Sequence, residues 1–269
     1  MQAYGIPILL VAGMGLVFAA LLTVAAKFFA VPENENVSKC RECLPGANCG
    51  ACGYKGCDDY AAALGNGETT VTNLCVPGGE KAAADLAAVL GLNAMESVKK
   101  VANLRCSGTH AVTAPAVDYR GIATCKANKL SGGRSACGFG CLGFGDCVAA
   151  CPYEAICISD DGIPYVNRDK CVGCGMCAKA CPQKLIDILP VTARVQVACS
   201  CTLPGAAVGK ACSAGCIGCG LCEKSCKFDA IHVVDKLARI DYDKCKNCGM
   251  CAKACPKHVI RVIPKASAK

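Results

Sequence analysis

Tryptophan is absent, and aromatic residues make up only 5% of the 269-residue chain. Large aromatic side chains normally dominate the burial that holds a core together, so this chain must be held by other means. Histidine is almost missing too: His110, His232 and His258 share no metal-ligand spacing and read as surface or packed side chains. Of the three, His258, directly after Pro256-Lys257, is the one placed to tune a neighbouring site. No strand–GxGxxG–helix pattern occurs, which argues against a nicotinamide or flavin dinucleotide site on this chain. Basic stretches interleaved with aromatics are also lacking, so nucleic acid is not an expected partner. Nor is there a basic segment ahead of the N-terminal apolar run, as a cleavable secretory signal would need.

What the chain has instead is cysteine. Its 28 cysteines are about 10% of the residues, a density otherwise seen in small disulfide scaffolds. Disulfides give no reason for the repeated spacing found here. Cys171-x2-Cys174-x2-Cys177-x3-Cys181-Pro182 is followed by Cys216-x2-Cys219-x2-Cys222-x3-Cys226 and by Cys245-x2-Cys248-x2-Cys251-x3-Cys255-Pro256. Zinc favours two separated CxxC pairs. The x2, x2, x3 run followed by proline is the ligand pattern of a [4Fe-4S] cube, whose fourth thiolate comes from the neighbouring run. The formal charge of +8 is then misleading: each oxidised cube with four thiolates carries about −2, and five leave the loaded protein slightly acidic. The lysines read as solvated faces or as partners for acidic electron carriers.

Tyr4 to Ala26 contains no charged residue. At 1.5 Å per residue such a helix is long enough to cross a hydrocarbon layer. Lys27 ends it, with Phe28 and Phe29 at the expected interface. The reading is a single N-terminal transmembrane helix retained in the cytoplasmic (inner) membrane. The positive-inside tendency and the need to keep thiolates reduced both put the body on the cytoplasmic side.

The fold expected is α+β. A membrane anchor at 1–31 precedes a small iron–sulfur domain at 32–100 and a cysteine-containing connector at 101–136. Two tandem bacterial-type two-cluster ferredoxin modules follow, at 137–195 and 196–269. Asp58–Leu64 and Lys81–Leu90 read as helices. ICISDDGIPYVNRDKC and AIHVVDKLARIDYDKC each read as strand, turn and strand. The modules look duplicated upstream as well. VANLRCSG matches VQVACSC and ACGFGCLG matches ACSAGCIG, which aligns Cys106 with Cys199, Cys137 with Cys212, Cys141 with Cys216 and Cys147 with Cys222.

Five cubes follow from the runs. Cys49, Cys52, Cys57 and Cys75 form the N-terminal set. In the second module the sets are Cys216, Cys219, Cys222 with Cys255, and Cys245, Cys248, Cys251 with Cys226. In the first module Cys171, Cys174 and Cys177 join Cys151. The remaining site takes Cys141, Cys147 and Cys181, with Cys137 as the preferred fourth because Phe144 stands where the repeat has Cys219. Cys157 or a noncysteine ligand is the alternative for that position. Eight cysteines are left over. Cys106, Cys125, Cys199 or Cys201, and Cys212 could converge on a sixth cube, and Cys40 and Cys43 on a further site; otherwise these eight, Cys157 among them, are partly buried thiols. No residue is assigned as catalytic acid, base or nucleophile.

The order of an apolar N-terminus, LPGANCGACGYKGC with CVPGG, and tandem ferredoxin modules resembles the B subunit of the Rnf complex, a membrane ferredoxin:NAD oxidoreductase. The resemblance covers nearly the whole chain, and LPGxNCGxCGxxGC is far more specific than CxxC. It implies a [4Fe-4S] cluster on Cys49, Cys52, Cys57 and Cys75. It also implies electron uptake from soluble ferredoxin, flavin- and NAD-binding and membrane-embedded subunits as partners, and coupling to sodium or proton movement across the bilayer. The extra cysteines and Lys227, in place of the usual proline after Cys226, depart from the family pattern. A membrane-anchored polyferredoxin serving another reductase or a hydrogenase is the competing reading. One apolar helix without buried acids cannot form an ion path by itself.

Overall fold

The structure, a computed structural model, describes residues 5–28 and 34–264. Gly5–Phe28 form one 24-residue helix, α1. Among the described residues no helix is long and apolar enough to cross a membrane; the side chains described in α1 are those of Leu10 and residues 12–25. Leu16 and Leu22 are exposed, at 74% and 69%, so no core of this chain covers them. Tyr4 and Phe29, together with the side chains of Lys27 and Phe28, lie outside the described residues.

The next unit is helical. α2 (Glu35–Glu42) starts at Asn34, whose side chain accepts the Asn36 N–H at 3.1 Å. It packs on α3 (Cys57–Gly65), and α4 (Gly79–Leu90) ends at Gly91 in the left-handed region, φ +67°. The two helices predicted over 58–64 and 81–90 are thus present, each slightly longer. Cys40, Tyr60, Leu64 and Leu86 make a small core between them. Tyr60 donates its hydroxyl to the Val71 carbonyl at 2.6 Å, which ties α3 to the loop leading to Cys75.

The rest of the body repeats one plan twice. In the first copy β1 (Lys100–Leu104) pairs with β4 (Ile186–Pro190), and β2 (Ile156–Ile158) with β3 (Pro164–Val166), both antiparallel. In the second, β5 (Val195–Val197) pairs with β8 (Ile260–Val262), and β6 (Ile231–Val234) with β7 (Leu237–Ile240). The inner hairpins are the two strand–turn–strand segments of the sequence. The outer pairs join strands far apart in the chain, so the stretch read as a connector, 101–136, supplies a strand to the first module. Four short helices each carry a cysteine of a run, α6 (Asp146–Ala149), α7 (Met176–Ala180), α9 (Leu221–Lys224) and α10 (Met250–Ala254), while α5 (Cys125–Leu130) begins at the isolated Cys125 and α8 (Gly205–Ala211) ends just before Cys212.

The cores consist of small aliphatics and cysteines. Val101, Ile156 and Leu185 pack with Cys147, Cys171 and Cys177 in the first module. Val195, Ile231 and Val259 pack with Cys199, Cys222 and Cys251 in the second. Units this small bury little apolar surface, so packing alone leaves them marginal.

Candidate iron–sulfur centres

Among the described residues no group of three or more His, Cys, Asp or Glu side chains closes around a single metal ion. A cube is bound differently. Its four cysteines sit on four separate irons and therefore surround a void rather than a point. Such voids are present. One is lined by Cys216, Cys219, Cys222 and Cys255. A second is lined by Cys226, Cys245, Cys248 and Cys251. These are the two sets that the runs of the second module predict, each brought to one cavity.

A third cavity, in the first module, is lined by Cys125, Cys141, Cys147 and Cys181. Cys125, rather than the preferred Cys137, is the fourth thiol there. α5 delivers it: the Asp146 carboxylate, one residue before Cys147, accepts the Cys125 and Lys126 N–H groups at 2.9 and 3.1 Å. Thr124 caps the same helix by accepting the Ala127 N–H at 3.2 Å. Phe144 fills the place of the missing cysteine with an aromatic contact to Tyr119 at 5.5 Å, and the Arg134 guanidinium lies 5.0 Å over its ring. Cys157 is exposed on β2 and lines none of these cavities.

A fourth cavity lies between the modules and is lined by Cys106, Cys137, Cys141, Cys199, Cys201 and Cys212. Cys137 belongs by sequence to the first module yet packs in the core of the second.

Two further sets are legible from neighbouring thiols. Cys174 lies near Cys151 and Cys171, and Cys177 near Cys171 and Cys174. Cys75 lies near Cys57, Cys52 and Cys49. Between these sets stands Tyr153, whose hydroxyl is pushed up by burial and then by the charges of Cys174, Cys49 and Cys75. Lys179, on the Cys177 helix, donates to the Cys49 carbonyl at 2.6 Å. Cys40 is fully buried, with Cys43 as its neighbour.

The fit to cubes can be judged from the sulfurs. Iron-bound thiolates are stabilised by backbone N–H groups directed at them. The Leu185 N–H points at Cys181 Sγ, the Ala155 N–H at Cys151 Sγ and the Ala230 N–H at Cys226 Sγ, each at 3.4 Å. One turn does this every time. The third residue after the cysteine adopts positive φ (Glu154 +49°, Lys184 +53°, Asp229 +49°), which swings the next N–H back. Lys227 leaves this turn intact, because the donor comes from beyond it. The Ala102 N–H reaches Cys171 Sγ at 3.3 Å from β1. Burial pushes Cys141 and Cys177 up to about 12, and Cys147 and Cys222 up to about 11. A buried negative sulfur is costly without a cation beside it, and an iron core is such a cation.

These thiol sets on a duplicated, two-hairpin frame define the class: a ferredoxin-type iron–sulfur protein with several [4Fe-4S] centres. Comparison with known families agrees. Residues 44–77 match the family described as "Putative Fe-S cluster", 141–155 and 164–187 each match "4Fe-4S binding domain", and 215–259 match "4Fe-4S dicluster domain". The B subunit of the Na(+)-translocating ferredoxin:NAD(+) oxidoreductase complex of Acetobacterium woodii is 41% identical over 91% of this chain and 74% of its own length. The B subunit of the proton-translocating ferredoxin:NAD(+) oxidoreductase complex of Clostridium ljungdahlii is 43% identical over 86% of this chain and 82% of its own. Its counterpart in the ion-translocating oxidoreductase complex of Methanosarcina acetivorans is 38% identical over 88% and 90%. The chain belongs to the family of B subunits of ion-translocating ferredoxin:NAD(+) oxidoreductases.

Proposed function

We propose that this subunit is the electron relay of a membrane ferredoxin:NAD oxidoreductase, taking electrons from reduced soluble ferredoxin and delivering them toward redox-driven Na+ or H+ translocation by its partner subunits. The observation that carries this is the continuity of the thiol sets through the body. From Cys49, Cys52, Cys57 and Cys75, the Tyr153–Lys179 junction leads to Cys151, Cys171, Cys174 and Cys177. Cys177 in turn lies near Cys147 of the next set. The second module continues the series with its two cavities. Four of the five proposed ligand sets are those expected from the cysteine runs; the fifth takes Cys125, in place of the preferred Cys137, beside Cys141, Cys147 and Cys181. Cubes bound there supply one-electron exchange without proton chemistry.

Docking of an acidic ferredoxin is best supported at the far end of the second module. Cys248 is exposed there, Phe228 and Met250 are each 44% exposed, and Lys227, Lys246 and Lys224 are exposed around them. An apolar centre with a basic rim suits a transient redox encounter. At the other end of the chain, the uncharged run from Tyr4 to Ala26 supports a single-pass anchor in this reading, with the body on the cytoplasmic side by the positive-inside tendency.

Rapid mixing of reduced ferredoxin with the anaerobically isolated complex tests this. Ferredoxin should be oxidised in step with bleaching of iron–sulfur absorbance, at a rate that falls with ionic strength. Charge reversal by Lys227→Glu and Lys246→Glu should slow that step severalfold and flatten its salt dependence. An oxidation rate unaffected by either substitution or by salt would exclude this surface. A complex lacking flavin-bearing and membrane-embedded partners would instead favour a polyferredoxin serving another reductase.

A further inference from the structure

The cavity between the modules is built by both of them. Cys106 and Cys137 come from the first copy of the repeat; Cys199 and Cys212 stand at the matching positions of the second. Their surroundings match as well. Cys106 Sγ accepts the Gly108 N–H at 3.3 Å and the Cys141 N–H at 3.4 Å. Cys199 Sγ accepts the Cys201 and Cys216 N–H groups, both at 3.4 Å. In each half, then, the donors are the residue two positions on and the first run cysteine of the same module. The Phe139 N–H serves Cys137, and the Thr113 hydroxyl lies 3.9 Å from Cys212 Sγ. Cys201 is equally enclosed, but among the described residues no N–H or O–H donor is directed at its sulfur.

The walls are tied together around these sulfurs. Thr113 forms a β-bridge with Cys212, and the Ala114 N–H donates to the Ala211 carbonyl at 3.1 Å. The Ser213 N–H donates to Val112 O at 2.9 Å, Ser200 Oγ to Arg105 O at 3.1 Å, and Arg261 to Ser107 Oγ at 2.8 Å. Cavities that are merely apolar do not gather four sulfurs or aim six donors at them.

Resting on the relay reading above, we infer that Cys106, Cys137, Cys199 and Cys212 hold a further [4Fe-4S] cube at the seam, two ligands from each module. Each thiol gives up its proton and binds one iron. With Cys137 used here, Cys125 completes the neighbouring site, as its cavity requires. Cys141 borders both cavities, so the seam site adjoins the last site of the first module. Cys216 borders both the seam and the first site of the second module, through its N–H on one side and its thiol on the other. This site is therefore the link between the two halves of the relay.

The test is iron and acid-labile sulfide per chain in the anaerobically isolated complex, for wild type and three variants. Cys199→Ala and Cys212→Ala should each lose about four irons and four sulfides relative to wild type, while Cys201→Ala should lose none. Retention of the full iron content by Cys199→Ala or Cys212→Ala overturns the proposal, as does a loss confined to Cys201→Ala. If either ligand variant fails to accumulate, a density map of the wild-type complex decides: a cube at the seam supports the proposal, and four free sulfurs reject it. None of these readouts involves ferredoxin oxidation, so a failed relay reading would show separately.

Discussion

Glycine positions in the cysteine runs show how closely backbone and ligand loops are fitted. Gly173 has φ +69°, and a Cβ there would sit 2.5 Å from the Lys100 carbonyl of β1. Gly220 has a similar φ of +75° with nothing within 4 Å. Gly220→Ala should cost only the left-handed backbone penalty of about 1–2 kcal/mol. Gly173→Ala adds a backbone clash next to Cys171 and Cys174, so it should lower thermal stability more and disturb the spectrum of that centre. Thermal unfolding with electron paramagnetic resonance on both variants compares them; equal effects would mean that β1 moves away freely. The second module solves the same junction with Asn247, φ +55°, whose side-chain oxygen accepts the Arg194 N–H at 2.8 Å and the Val195 N–H at 3.2 Å. His232 pairs with Glu223 at 3.1 Å on the surface, and His258 is exposed, its backbone forming a left-handed turn at φ +48°.

At the scale of elements, what was legible depended on distance along the chain. The hairpins β2–β3 and β6–β7 announce themselves through alternating apolar residues and a short turn, and helices α3 and α4 through composition. The cysteines of the second module's runs reach common cavities because a spacing of two or three residues leaves the loop little choice. Pairing of β1 with β4 and of β5 with β8 was not legible as pairing, since nothing local marks two short strands as partners across a whole module. The repeat VANLRCSG/VQVACSC carried the signal, but as similarity rather than as structure. Cys125 escaped for the same reason. It has no run of its own and reaches its cavity because a carboxylate 21 residues later clamps its helix. Asp146→Ala removes both acceptors at the α5 N-terminus, a loss of about 1–2 kcal/mol by comparison with helix caps. The centre beside Cys147 should then lose iron faster than the others on exposure to a chelator. Uniform loss from all centres would mean that α5 is held by other contacts.

For the molecule as a whole, the cores and the centres are largely the same residues, so folding and iron loading are coupled. The sign of the pH dependence follows. Cys141, Cys177 and Cys137 rise from an ordinary value of 9.0 to about 12, mainly through burial. In iron-free chain this favours the folded form fully below pH 9, and the contribution is lost as pH rises from 9 through 12, because the unfolded chain ionises first. Iron reverses the preference, since binding requires the protons to leave. Reconstitution should therefore proceed more completely at pH 8.5 than at pH 7, with proton release into unbuffered solution, while iron-free chain should melt at lower temperature above pH 9. Loading independent of pH would mean that the thiols are already ionised before iron arrives. The aromatic-poor composition fits this arrangement: the space that bulky rings would fill is taken up by thiol-lined voids.

The seam between the modules also constrains the order in which the protein can be made. Its cavity draws on residues near the start of the first module and on Cys212, well into the second. During synthesis the N-terminal thiol set is complete once residue 75 has emerged, and the first module closes its hairpins and the β1–β4 pair by residue 190. Cys106 and Cys137 must then wait, reduced and unpartnered, until the ribosome has added Cys199 and Cys212. On the proposed seam site, a nascent chain stalled between residues 190 and 199 therefore presents Cys106 and Cys137 without their two partners, so oxidants or premature release in that interval would meet a half-built site.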